Sequence, residues 1–295
     1  MFSSELHPDK KPFWLKVKFP SHKNYFLTSG LLKEKGLHTI CQSAKCPNIT
    51  ECWTNKTATF LILGDTCTRN CAFCAVEKGI PSRPPKDEAR RVADAAAEMN
   101  LRYVVVTSVT RDDLPDGGAF HFAETIETLR EKIPGVRVEV LIPDFKGDIN
   151  ALKTVIDVRP DILNHNLEVP ESLYPSINRK KASYIRSLGV LESAKRLGTT
   201  TKSGLMIGLG ETEEDILQTF SDLRRASCDL LTIGQYLRPG KDNVPVRKYY
   251  PPLEFVQLKK IALDFGFSDV ESAPLVRSSY NAYNMFLSCK KKRAH

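Results

Sequence analysis

The sequence predicts an α/β fold of six consecutive βα units with N- and C-terminal extensions, and three observations carry it. Short runs rich in Val, Ile, Leu and Thr recur at 59–63, 103–109, 136–142, 162–167, 202–209 and 230–237, which is the composition of strands. Amphipathic stretches at 87–99, 119–132, 182–197 and 212–226 alternate with them, the rhythm of a parallel sheet joined by helices. Polar or glycine-containing segments follow the strand ends at 64–67, 108–113, 166–168 and 208–211, the edge where barrels and open α/β sheets alike place their chemistry. Six units fit an open doubly wound sheet or an incomplete barrel, and length alone does not choose.

Residues 1–55 precede this rhythm and 241–295 follow it, so both read as extensions of one core at 56–240; no linker or internal repeat marks a second domain. The 41% apolar and 26% charged composition suits a chain that buries a substantial core. No segment has the apolar length of a membrane span. The first eleven residues lack the apolar run of a signal peptide and carry acids unfavourable for a transit peptide, so a cytoplasmic location is expected. A net charge of +8 suggests an anionic partner without identifying it. Lys290-Lys291-Lys292-Arg293 reads as a solvated tail.

Eight cysteines are too few for a disulfide-stapled miniprotein, and reduced clustered thiols more often bind metal or react. The first strand leads directly into Cys67-x3-Cys71-x2-Cys74. Three thiolates on one tight loop hold three irons of a cubane and leave the fourth iron open to an external ligand. Zinc more often takes paired Cys-x2-Cys units, and no partner pair lies nearby, so iron–sulfur is the favoured reading. Upstream, Cys41-x4-Cys46-x5-Cys52 offers three more soft ligands and suggests a second cluster. Cys228 and Cys289 belong to neither triplet and read as incidental.

Further along the chain, Thr212 followed by Glu213, Glu214 and Asp215 is a helix start with a capping hydroxyl and acids at the positive end of the dipole. Arg111, Asp112 and Asp113 read as a local ion-pair and capping network. His165 has no companion ligand at a recognisable spacing and reads as a hydrogen-bonded structural histidine. Gly204, Met206, Gly208 and Glu211 end the fifth strand, where glycine lets backbone approach a flat ligand.

The Cys67–Cys71–Cys74 loop with Phe73 before its last cysteine resembles the signature of the radical S-adenosylmethionine (SAM) superfamily. The second triplet narrows this, and the chain resembles the lipoyl synthases. The resemblance continues through Thr57-Ala58-Thr59-Phe60, the 107–114 and 202–211 segments, Gly234-Gln235-Tyr236-Leu237 and Pro274-Leu275-Val276-Arg277-Ser278-Ser279-Tyr280. It implies a partial (β/α)6 TIM-like barrel. It also implies two 4Fe-4S clusters: Cys67, Cys71 and Cys74 hold the one that binds SAM, and Cys41, Cys46, Cys52 and Ser279 hold an auxiliary one consumed as sulfur donor. SAM contacts are expected from Thr107, Ser108, Asn166, Glu168, Arg186, Met206 and Gly208, and a substrate contact from Arg277.

The implied activity is a sulfurtransferase of lipoate biosynthesis that inserts sulfur at carbons six and eight of an octanoyl-lysine. The implied partners are octanoylated lipoyl carrier domains, in the acyltransferase subunits of 2-oxoacid dehydrogenases and the glycine-cleavage H protein. An electron donor such as flavodoxin or ferredoxin and an iron–sulfur carrier are implied too, with no nucleic acid. Three positions depart from the family pattern: Val169 where threonine is commoner, Asn243 in a segment that commonly has histidine, and Asn281 where histidine usually follows the tyrosine. A two-cluster radical enzyme of the methylthiotransferase kind is the nearest alternative, and the Ser279 motif argues against it. A zinc-stabilised nucleic-acid-binding module is the alternative of another class, and interleaved aromatic and basic motifs for it are lacking.

Overall fold

The computed structural model describes residues 11–293 apart from Lys18 and Lys180. Residues 1–10, on which most of the reading of the N-terminus rests, and the side chains of 291–293 in the basic tail lie outside the described residues.

A short 3-10 turn (Phe13–Leu15) and α1 (Lys23–Glu34) lead to β1 (His38–Thr39) and two short helices, α2 (Ile40–Ser43) and α3 (Ile49–Thr54). Next come β2 (Thr59–Ile62), a two-stranded ribbon of β3 (Thr66–Cys67) and β4 (Glu77–Lys78), α4 (Glu88–Glu98), β5 (Tyr103–Ser108), α5 (Ala119–Lys132) and β6 (Arg137–Leu141). The chain continues through α6 (Ile149–Asp157), β7 (Ile162–Asn164), α7 (Tyr184–Arg196), β8 (Thr201–Ile207), α8 (Glu213–Arg225) and β9 (Leu230–Gln235). It finishes with α9 (Pro252–Asp264), β10 (Asp269–Ser272) and α10 (Ala282–Arg293).

The six expected strands are β2, β5, β6, β7, β8 and β9, parallel and paired in that order. β1 joins antiparallel beside β2 and β10 joins parallel beside β9, so the sheet ends at two edges and does not close. The architecture is a partial barrel. The region beyond residue 240 does more than the sequence rhythm indicates, because α9 and β10 repeat the βα step once more. In β10 only Val270 is a buried apolar residue, flanked by half-buried Asp269 and Glu271, so its strand signal is weak.

Local chemistry sets the helices. In α4, Ala89, Val92, Ala93 and Ala96 fall at helical spacing and are buried. Thr212 caps α8 in a capping box: its hydroxyl accepts from the Asp215 N–H, and the Asp215 carboxylate accepts from the Thr212 N–H.

The strand residues facing the helices make two apolar cores. Val104, Val106, Val138 and Val140 pack with Phe122, Ile126 and Val155 of α5 and α6. Leu231 and Ile233 pack with Phe220 and Phe255 of α8 and α9. On β6 the alternate residue Glu139 is fully buried and takes Lys202 Nζ of β8 at 2.9 Å, with the Tyr103 hydroxyl donating to it at 2.7 Å. Met285, Phe286 and Cys289 of α10 pack on Ile162 and Leu230, the first residues of β7 and β9. That helix covers the N-terminal end of the strands, which leaves the C-terminal end for a site.

Candidate functional site

A cavity of about 780 Å³ opens at the C-terminal ends of the strands, within the range of small-molecule sites. Both cysteine triplets reach it. Cys67, Cys71 and Cys74 line it from the loop after β2, and Cys41 and Cys46 from the N-terminal helices. Cys52 stands off the wall, half-buried on α3; burial first, and then its neighbours Cys41 and Cys46, push its thiol up to about 12. None of the eight cysteines forms a disulfide, and Cys228 and Cys289 are buried in the apolar cores.

The Cys67–Cys74 loop is fixed by charge. Arg69, inside it, pairs with Asp112 through Nε and Nη2 at 2.9 Å each, and Nη2 also reaches Asp144 at 2.6 Å. Burial alone would raise the Asp144 carboxyl, but the Arg69 guanidinium outweighs it and holds that carboxyl at about 2. From the other side, Asn243 Nδ2 donates to the carbonyls of Ala72 (3.0 Å) and Cys74 (3.1 Å). The residue that departs from the family pattern is therefore a brace for this loop.

The auxiliary side is assembled from three separate pieces of chain. Cys41, Cys46 and Cys52 ride on α2, α3 and the turn between them, Thr59 stands on β2, and residues 274–280 form a strap after β10. Thr59 Oγ1 donates to Ser279 Oγ at 2.8 Å. Asn48 Nδ2 donates to the Leu275 carbonyl at 2.7 Å, and the Tyr280 hydroxyl to Glu51 at 3.1 Å. Where the strap crosses β9 only glycine fits, since a Cβ on Gly234 would fall 2.1 Å from the Val276 carbonyl oxygen. Arg277 lines the cavity and is half-buried; its Nη1 donates to the Val276 carbonyl, and among acidic groups it faces Cys46.

The two adjacent strap serines part company: Ser279 turns to Thr59, and Ser278 takes a hydrogen bond from Asn166 Nδ2 at 2.7 Å. Asn166 Nδ2 also donates to Glu168 Oε1 at 3.3 Å. Their close approach needs Gly204, where a Cβ would sit 2.7 Å from Asn166 Oδ1 and 2.9 Å from Ser278 Oγ. Glu168 adopts φ +73, a left-handed conformation costly for a residue with a Cβ, and such local strain concentrates at functional sites. Burial raises its carboxyl, and Arg179 and the Asn166 amide oppose that shift.

The expected SAM contacts separate into two groups. Thr107, Ser108, Asn166, Glu168 and Met206 line the cavity. Arg186 and Gly208 are not on its wall. Arg186 pairs with Asp144 at 3.3 Å and donates to the Lys181 carbonyl. Gly208, at φ +106, is packed against the Gln235 amide and the Lys248 carbonyl, and its N–H bonds Glu211, so its role is in the turn. An arginine that does line the cavity close to Glu168 is Arg179, which the sequence reading passed over; its Nη1 donates to the Leu167 carbonyl at 2.6 Å and to the Tyr174 hydroxyl at 2.9 Å. Its only sequence signal is a position eleven residues after Glu168.

Arg111 pairs with Asp113 at 2.8 Å, as expected of a local ion-pair network, whereas Asp112 leaves that network to pair with Arg69. His165 Nδ1 bonds the Ile142 carbonyl at 2.9 Å, and burial pushes the ring down to about 4, so it is neutral. The other two departures are also accommodated: Val169 is buried among Ile177 and Leu209, and Asn281 Nδ2 donates to Glu271 at 2.7 Å.

These groups fit a cluster and a polar ligand. Burial, and after it neighbouring thiols, raise Cys41 to about 11 and Cys74 to about 12. Several thiolates coexist there only opposite positive charge, which cluster iron supplies. On the cavity wall Ser108 Oγ, Asn166 Oδ1 and His165 Nε2 are buried with no hydrogen-bond partner among the described residues, groups that a bound molecule rich in donors and acceptors would satisfy.

The Radical SAM superfamily model matches residues 61–223. The chain is 54% identical over 284 residues to the lipoyl synthase of Rubrobacter xylanophilus, covering 96% of this chain and 88% of that one. It is 50% identical over 288 residues to the lipoyl synthase of Bacillus cereus strain ATCC 14579, covering 97% of each. Among solved structures it resembles the FeFe-hydrogenase maturase HydG from Carboxydothermus hydrogenoformans, with a TM-score of 0.57 and 13% identity over 92% of this chain and 82% of that one. It also resembles Streptococcus suis SuiB bound to S-adenosylmethionine, with a TM-score of 0.51 and 10% identity over 74% of this chain and 50% of that one. At such identities these structures speak for the fold alone.

Proposed function

The chain belongs to the lipoyl synthase family of the Radical SAM superfamily, and from that premise we propose that it inserts sulfur at carbons six and eight of an octanoyl-lysine on a lipoyl carrier domain. The observation that carries the proposal is the convergence of two separately built thiol sets on one cavity, with Ser279 turned to the auxiliary side. When bound, the open-iron cluster and SAM supply a carbon-centred radical able to take hydrogen from unactivated C–H bonds that no side chain can ionise.

The chain's own residues do the rest. Cys67, Cys71 and Cys74 hold the first cluster, and Cys41, Cys46, Cys52 and Ser279 the second. Ser108, Asn166 and Glu168 offer a hydroxyl, an amide and a carboxylate to the polar parts of SAM, with Arg179 the cation beside Glu168. Thr107 contributes less, because its hydroxyl already donates to the Leu141 carbonyl at 2.9 Å. Met206, Leu205 and Leu141 give the same cavity apolar wall for an acyl chain, which keeps out water and competing hydrogen donors. Serine grips iron less firmly than thiolate, which suits a cluster dismantled as sulfur donor.

The carrier enters as a folded domain, and the net charge of +8 suits steering of an acidic one. A reduced electron-transfer protein supplies the electrons. No helix among the described residues is long and apolar enough to cross a membrane.

Anaerobic turnover with an octanoylated carrier peptide, followed by mass spectrometry, tests the proposal. Gain of two sulfurs with consumption of two SAM is expected; SAM cleavage with no sulfur gain defeats it. Iron analysis should give about eight irons per chain, whereas stoichiometric zinc would favour the nucleic-acid-binding alternative.

A further inference from the structure

We propose that Thr59 is a positioning residue that seats Ser279 as the fourth ligand of the auxiliary cluster. The proposal rests on the reading of Ser279 as a ligand. The Thr59 hydroxyl donates to Ser279 Oγ at 2.8 Å, a contact that ties β2 to the strap across 220 residues of sequence.

The placement is rigid where it needs to be. Thr59 is 5% exposed and opens β2, which lies inside the sheet between β1 and β5, with Thr59 opposite Val105 of β5. The strap that carries Ser279 has no ladder of its own at residues 276–280. The Thr59 hydroxyl thus lends the barrel's rigidity to an oxygen on an irregular segment and fixes where its remaining lone pairs point. Such outer hydrogen bonds orient metal ligands and are part of a site's function.

The test uses the full chain with Cys67, Cys71 and Cys74 changed to alanine, so that only the auxiliary cluster is present, reconstituted anaerobically. The readout is the rate at which mild ferricyanide oxidation removes one iron and yields the EPR signal of a three-iron cluster, since the iron with the weakest protein ligand leaves first. Ser279→Ala sets the rate for an unseated iron. Thr59→Val, which keeps shape and strand preference but loses the hydroxyl, should accelerate loss about five-fold, the worth of one hydrogen bond. Thr59→Ser should restore the parent rate. The double variant Thr59→Val with Ser279→Ala should be no faster than Ser279→Ala alone.

Loss at the parent rate in Thr59→Val, with Ser279→Ala fast, overturns the proposal and leaves the ligand reading standing. A parent rate in Ser279→Ala removes the ligand reading itself. Additive acceleration in the double variant also overturns the proposal, because Thr59 would then act elsewhere. Should Thr59→Val fail to accumulate as folded protein, Thr59→Ala asks the same question of the same bond.

Discussion

The two cysteine sets face one cavity but are built in opposite ways. Cys67, Cys71 and Cys74 lie on a single loop that follows β2, locked by the Arg69 pairs to Asp112 and Asp144 and braced by Asn243. Cys41, Cys46, Cys52 and Ser279 come from segments more than 200 residues apart, joined by single hydrogen bonds from Asn48, Thr59 and Tyr280. Charge-assisted bidentate hydrogen bonds such as Arg69–Asp112 are roughly twice as strong as the neutral ones from Asn48 and Thr59. The difference teaches that the first set is tied more firmly than the second, which suits the proposal that the second cluster is the one dismantled as sulfur donor.

Exchange of one cysteine in each set should break the comparison most sharply. Cys71→Ala is expected to abolish both SAM cleavage and sulfur insertion. Cys46→Ala should keep SAM cleavage and lose sulfur insertion, and in either variant iron should fall from about eight to about four per chain. If Cys46→Ala also stopped cleavage, the two sets would not be separable and the division of roles would fall.

Stability is the next measure. Arg69→Met leaves Asp112 and Asp144 without their buried partner, and loss of one member of a buried pair costs about 3–5 kcal/mol. Denaturant unfolding of the apo chain should show that loss. A cost below about 1 kcal/mol would mean that the loop is held by something other than this charge pairing.

His165 gives the cavity a pH signature between these extremes. Its folded value is about 4 against 6.5 for a free ring, first because of burial; the Ile142 carbonyl and Asp144 oppose the shift, and Arg179 and Arg69 add to it. The folded ring stays neutral while the unfolded ring takes a proton below 6.5, so stability is full above that pH and falls as pH drops towards 4. The whole shift corresponds to about 3 kcal/mol. Asp144 works in a lower window, between its ordinary 3.8 and about 2. His165→Gln should flatten the fall between pH 6.5 and 4 in denaturant midpoints; an unchanged slope would show that other groups carry it.

Much of this was legible in the sequence, and the limits have physical causes. The six core strands were readable because parallel strands covered on both faces become unbroken apolar runs, as in Val104-Val105-Val106. β10 was not, since a strand with one buried apolar residue looks like loop. The two cysteine triplets stood out from spacing, because each is local in sequence, and the fold brings five of their six thiols to one cavity. Arg179, Thr59 and Gly204 act through contacts set only by folding: Thr59 meets Ser279 across 220 residues, and Gly204 matters only because Asn166 and Ser278 meet beside it. Arg186 misled for the same reason, since the competing carboxylate of Asp144 lies 42 residues away.

The smallest effect is the one most diagnostic of a separable strap. Tyr280 donates to Glu51 near the surface, so Tyr280→Phe removes one partly exposed hydrogen bond and should cost no more than about 1 kcal/mol of global stability. Its effect should be local. Hydrogen exchange in 274–280 and in α3 should quicken by about five-fold while the 67–74 loop keeps its protection, as expected of a region that opens as its own unit. Faster exchange in both cysteine regions together would mean that strap and loop move as one body, and the contrast between a firmly tied site and a separable one would then rest on ligand chemistry alone.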